Sequence, residues 1–213
     1  MDLERKAKYI YNSNRLDGVH VPFEGTLQLC REGPGPYVDG RDVQGMEAGK
    51  IYDADVVGSH LGAIHFIEKL AHRPGTFTDA DFREIHRRLM DGVIVSRGEY
   101  REVALRTGGF PPVQPADIPK RVERILTLVN VGFERAPKKD IFAWQVHHEV
   151  YLAHPFIDGH GRMARLMLNF LRFKAGLDLE VVPFAERERY LNSIKEYAQR
   201  LYALKESGRL AIP

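Results

Sequence analysis

Cysteine is almost missing from this chain. Cys30 is the only one in 213 residues, which excludes an internal disulfide and any zinc site built from cysteines, and suits a reducing compartment. An excess of one charge is missing too: 31 basic and 29 acidic residues are interspersed and leave a formal charge of +2. No block of like charge marks a nucleic-acid or membrane surface, so neither is expected as a partner. There is no run of about 18 apolar residues, as a membrane span would need, and the opening MDLERKAKYI lacks the apolar stretch of a secretory leader. The expectation is a soluble, cytoplasmic protein, with delivery into another cell left open. The Gly-rich Lys-Ser/Thr loop of common NTPases and the Gly-x-Ser-x-Gly turn of serine hydrolases are absent as well.

What is present is helical periodicity. With 44% hydrophobic residues, the chain reads as one domain over residues 1–213. Thr78 is placed to cap a helix, with Asp81 three residues on and Phe82, Ile85, Leu89 and Met90 at helical spacing. Asp117 and Pro119 announce another, with Val122, Ile125, Leu126, Val129 and Phe133 as its apolar stripe. Residues 141–153 are apolar nearly all round, the pattern of a helix at the centre of a bundle. In the helix that follows, Met163, Leu166, Met167, Phe170 and Leu171 face one way while Arg162, Arg165, Asn169 and Arg172 face another. A last helix carries Tyr190, Ile194, Tyr197, Leu201 and Leu204 on one side. The Gly/Pro-rich residues 31–45, residues 101–115 and short connections near 73–76 and 136–139 read as non-helical; Val103, Leu105 and Thr107 alternate before Gly108-Gly109, a hairpin signal.

The chemistry concentrates in HPFIDGHGRMAR, residues 154–165. A glycine-bracketed turn at a helix start, Gly159-His160-Gly161, exposes unpaired backbone N–H groups at the positive end of the helix dipole and makes an anion site. Arg162 and Arg165 are three apart, close enough to share the first turn and to match phosphate oxygens with their forked guanidinium groups. Asp158 precedes the turn and is placed to hold magnesium against those phosphates, since that ion takes one or two carboxylates plus substrate phosphates. His154 stands at the exit of the apolar helix, where it can accept a proton from a hydroxyl. The weaker reading is a histidine metal site, because His147, His148, His154 and His160 lie within fourteen residues beside Glu149 and Asp158. The spacing is not that of His-Glu-x-x-His, and these side chains do not share one helix face.

The stretch strongly resembles the signature of Fic-domain proteins, His-Pro-Phe-x-Asp/Glu-Gly-Asn-Gly-Arg-x-x-Arg; eleven of its twelve positions are compatible and only His160 departs, from Asn. YNSNRLDG, residues 11–18, is similar to the family's inhibitory motif, with Ser13 and Gly18 in place and Asp17 where Glu is usual. Residues 98–112 resemble its flap. The resemblance implies an all-α, Fic-type helical bundle with a small β-hairpin flap at 98–114, an N-terminal inhibitory helix within 1–20, and a signature loop and helix start at 154–165. It implies a protein adenylyltransferase that moves AMP from ATP, with Mg2+, to a Ser, Thr or Tyr hydroxyl of a target protein. In it His154 would be the general base, Asp158 the metal ligand and Gly159 to Arg162 the phosphate cradle. Arg165 would grip the γ-phosphate and Tyr190 would lie near the adenine. Ser13 and Asp17 would inhibit. On the residues alone, Tyr190 reads equally well as a core aromatic. A silent nucleotide-binding regulator, a de-adenylylating hydrolase and a transferase with another phosphate-containing donor are the alternatives; self-modification and a homodimer stay open. In a phosphate cradle the His160 ring would be expected to rise from a pKa near ~6.5 toward neutrality.

Overall fold

In a computed structural model, residues 2–33, 48–105 and 113–207 are described. Their helices, in chain order, are α1 (Leu3–Leu16), α2 (Phe23–Glu32), α3 (Ala48–Ala71), α4 (Asp79–Leu89), α5 (Ile118–Thr127), α6 (Phe133–Arg135), α7 (Lys139–Ala153), α8 (His160–Lys174) and α9 (Arg187–Glu206). Among the described residues there is no strand. Residues 106–112, where the tip of the expected hairpin falls, lie outside them, as do residues 34–47 of the Gly/Pro-rich stretch. No described helix is long and apolar enough to cross a membrane.

Local signals set the helix ends. Asp2 caps α1, its carboxylate accepting from Glu4 N at 2.7 Å and Arg5 N at 3.3 Å. Thr78 and Asp81 form the full capping box of α4. Pro119 lies in the first turn of α5, and a π turn over Leu128–Gly132 links α5 to α6. Of the expected stripe, Val122, Ile125, Val129 and Phe133 are buried along this run and Leu126 is half-buried.

α7 and α8 form the most extensive helix pair, joined by the signature loop. α7 is buried over much of its surface, as its sequence predicts. In α8 the apolar residues are buried, and so are Arg162, Arg165 and Asn169. The reason is α1, which lies over the polar face and replaces solvent there. Two helices that the sequence pattern did not mark, α2 and α3, complete this packing. α3 buries Val56, Val57, Ala63, Ile64 and Ile67 and packs against α4 and α8. α9 closes a smaller core, in which Tyr190, Ile194, Ala198 and Leu201 meet Leu16 and Leu152; Leu204, expected on the same stripe, is 41% exposed.

Candidate active site

α7 ends at His154, which adopts a left-handed conformation with φ 49° and ψ 53°. Pro155 disfavours the α region at this residue, and its left-handed geometry costs about 1–2 kcal/mol in a non-glycine residue. Arg101 holds the bend, donating from Nε to the His154 carbonyl at 2.7 Å and from its backbone N to the Pro155 carbonyl at 2.9 Å. One hydrogen bond joins the His154 ring to the Tyr151 backbone, which fixes one ring nitrogen as donor and leaves the other as acceptor. Burial pushes the ring down to about 4, with the nearby Arg101 charge acting in the same direction. His154 is therefore a neutral acceptor through the physiological range.

Phe156 anchors the loop in the core. Asp158 then presents a side chain that is 55% exposed, with Oδ1 accepting from Gly159 N at 2.6 Å. Gly159 has φ +75°, and a Cβ there would lie 2.7 Å from Met90 Sδ, so the turn requires glycine. Gly161 makes room for a side chain: an added Cβ would lie 2.5 Å from Asp17 Oδ1, so the carboxylate could not keep its place beside a larger residue.

That approach leads to the anion cradle. The Asp17 carboxylate accepts from Arg162 N at 3.1 Å, lies 3.5 Å from Arg162 Nε and pairs with Arg165 Nη2 at 3.0 Å. It occupies the N-terminus of α8, where helix dipole and free N–H groups favour a negative group. Arg165 is further held by Ser13, through Oγ at 2.8 Å and the carbonyl at 2.8 Å, and by the Tyr190 hydroxyl at 3.1 Å. Burial opposes the Arg165 charge, but Asp17 and the adjoining phenols hold its pKa above the ordinary arginine value. Arg162 is buried, yet its Nε and Nη1 have no hydrogen-bond partner. Two buried guanidinium groups against one close carboxylate leave the pocket short of acceptors, which is the electrostatics of a site for a polyanion.

The rise expected of His160 depends on donor phosphates; in the free protein the ring has a different surrounding. Its ring stacks on that of His154, centroids 3.2 Å apart, and burial, followed by the neighbouring His154 and His86, pushes it down to about 2. Tyr190 takes the core place expected of it, its ring belonging to the α9 core, while its hydroxyl meets Arg165 and lies 2.9 Å from His147 Nε2. Burial raises it to about 12. Tyr190 also borders a cavity of about 560 Å3 with Trp144, His148, Pro183 and Ser193.

Among the described residues no three His, Cys, Asp or Glu side chains are grouped to hold a metal. Glu149 points elsewhere, to Arg121 at 3.0 Å, Arg124 at 3.3 Å and the Tyr197 hydroxyl at 2.7 Å. The single exposed carboxylate of Asp158 beside the cradle still fits magnesium, which draws its other ligands from substrate phosphates and water. Three residues that the sequence reading passed over belong to the site's frame. Arg101 and His86 brace the loop, and buried His60 hydrogen-bonds Asn14 Oδ1 at 3.0 Å beneath the arginines. Nothing in their local sequence marks them, because each acts on a distant segment.

The sequence model of the Fic/DOC family matches residues 76–171. The chain is 27% identical over 193 residues to the protein adenylyltransferase Fic of Drosophila willistoni, covering 90% of this chain and 37% of that protein. It is 28% identical to the protein of the same name from Drosophila ananassae, again covering 90% and 37%. The chain thus spans little more than a third of these curated relatives. Among solved structures, a Fic-domain-containing signaling protein from Bacteroides thetaiotaomicron matches with a TM-score of 0.76 at 25% identity, over 90% of this chain and 71% of that one. Fic-1 of C. elegans shares the fold, with a TM-score of 0.74 at 23% identity over 90% of this chain and 55% of that one.

Proposed function

This chain is a Fic-domain protein, and on that premise we propose that it is a protein adenylyltransferase whose donor site is closed by its own α1. Curated relatives named protein adenylyltransferase support the reaction class. The observation that carries the closed state is the Asp17 carboxylate, which takes Arg162 N, Arg162 Nε and Arg165 Nη2 together and so stands where a donor phosphate would bind.

In the reaction, α1 withdraws and the phosphates of ATP take the place of Asp17. The backbone at the start of α8, Arg162 and Arg165 bind them, and Arg165 holds the terminal phosphate. Asp158 would hold a magnesium ion, which would supply charge neutralisation at the donor phosphates. A target Ser, Thr or Tyr hydroxyl approaches the α-phosphorus, and the free nitrogen of His154 takes its proton. The new O–P bond forms as the bond to the bridging oxygen breaks in line, and pyrophosphate leaves with the electron pair. Because the base is neutral and fixed by Tyr151, catalysis consists mainly of positioning and charge compensation.

The test is incubation of the purified protein with magnesium and a panel of nucleotides, with and without cell lysate, read by intact mass and peptide mapping. The proposal expects a gain of one AMP on a hydroxyl side chain with ATP as donor. Nucleotide binding without any covalent adduct would make this protein a silent regulator. A different adduct would reassign the donor, for which His160 in place of Asn is the residue to examine first.

A further inference from the structure

His86, on α4, touches two separate segments, the root of the flap and the catalytic loop. Its Nδ1 accepts from Gly98 N at 2.8 Å, and its Nε2 lies 3.1 Å from the Asp158 carbonyl oxygen. A backbone N–H can only donate, so Nδ1 carries no proton; the single proton of the neutral ring is on Nε2 and is donated to Asp158. Both nitrogens are thus committed, each to a different segment. The ring is fully buried and lies flat on Phe156, centroids 3.7 Å apart and planes 2° from parallel. Phe82 stacks on Phe156 and Tyr100 packs against it, so the imidazole has one orientation.

Gly98 is built for this approach. It has φ +78°, and a Cβ there would lie 3.1 Å from the Arg83 carbonyl oxygen and 3.2 Å from Arg87 Cβ. The segment leaving it reaches Arg101, whose backbone and side chain hold the His154–Pro155 end of the loop and whose Nη1 donates to the Val103 carbonyl at 2.8 Å. Arg101 therefore ties the flap root to the base, and His86 ties the same root to the acid four residues later.

We infer that His86 is a positioning residue that sets the flap root and the Asp158 carboxylate in one register, so that the segment beside an incoming target and the group that holds the donor's metal are placed together. The role of the carboxylate in this inference rests on the adenylyltransferase reading; the coupling of the two segments does not.

The two arms separate by substitution in the full chain. His86→Asn keeps an acceptor at the place of Nδ1 and loses the donor; His86→Gln keeps a donor at the place of Nε2 and loses the acceptor. His86→Phe keeps the stack on Phe156 and loses both. Amide exchange by NMR reads the arms directly, at Gly98 for the flap root and at Gly159, whose N–H is held by the Asp158 carboxylate, for the loop. His86→Gln should speed exchange at Gly98 roughly tenfold and spare Gly159; His86→Asn should do the reverse, and His86→Phe should speed both. In AMP labelling, His86→Asn should raise the magnesium concentration needed for half-maximal rate about tenfold while His86→Gln leaves it near wild type. Equal effects of Asn and Gln on both amides, no effect on either, or loss of folding in both variants would overturn the assignment and make His86 a general support of the core. A split exchange pattern with no labelling in any protein would instead overturn adenylyl transfer and leave the coupling standing.

Discussion

The two sides of the signature loop are built in opposite ways. On the α1 side, Arg162 and Arg165 are buried and met by Ser13, Asp17 and Tyr190, and a residue of the chain fills the anion place. On the flap side, Asp158 is 55% exposed, and a cavity of about 790 Å3 opens beside Tyr100, Val103, Ile118 and Ile157. The contrast teaches where control acts. Under the proposed function, this contrast puts control on the donor: α1 would block the phosphates of ATP, and its release would act on ATP binding rather than on the protein substrate.

The sharpest way to break this comparison is at His154, the proposed base. His154→Ala should lower AMP labelling by at least about a hundredfold, the usual range for loss of a general base, while ATP affinity stays within a few-fold of wild type. Labelling rates and calorimetric binding on the same variant check it, and retained labelling would remove His154 from its role.

A second effect concerns acid stability and the buried histidines of α4 and α7. Burial pushes His86 and His148 down to about 4, against ~6.5 in the unfolded chain. Between those values the unfolded state binds more protons, so stability is fully present above about pH 6.5 and declines as pH falls toward 4, by up to ~1.4 kcal/mol per pH unit per ring. Urea unfolding at pH 7 and pH 5 should give the lower stability at pH 5, with a smaller difference in His86→Asn. Equal stabilities would mean that these rings titrate normally.

The smallest effect belongs to His160. Because its ring is held neutral against His154, His160→Asn should leave the pH dependence of ATP binding between roughly pH 6 and 8 unchanged. A flattened profile in the variant would put a charged His160 in the cradle after all.

The helix pattern and the signature were legible because both rest on short-range spacing: the Thr78–Asp81 cap and the α5 stripe form as their residues dictate. α3 was not, since its apolar residues are spread around the helix and Gly58 and Gly62 interrupt its propensity. The cover of the α8 arginines comes from α1, some 150 residues earlier, with |i−j| of 152 for the Ser13–Arg165 bonds; no helical period shows such a contact, and only the likeness of residues 11–18 to the inhibitory motif pointed to it. Within the site, residue types carried His154, Asp158 and the arginines. His86 and Arg101 stayed hidden because they act on backbone atoms of a distant loop, which no local motif encodes.

Comparing Mg-ATP affinity in the wild-type protein and in Asp17→Ala, by calorimetry, tests the central claim most directly. Removing the carboxylate from Arg162 and Arg165 should tighten binding about tenfold or more, the range expected when a charge-assisted contact no longer competes for the site. Equal or weaker binding by Asp17→Ala would contradict the account, for it would mean that α1 does not stand in the place of the donor.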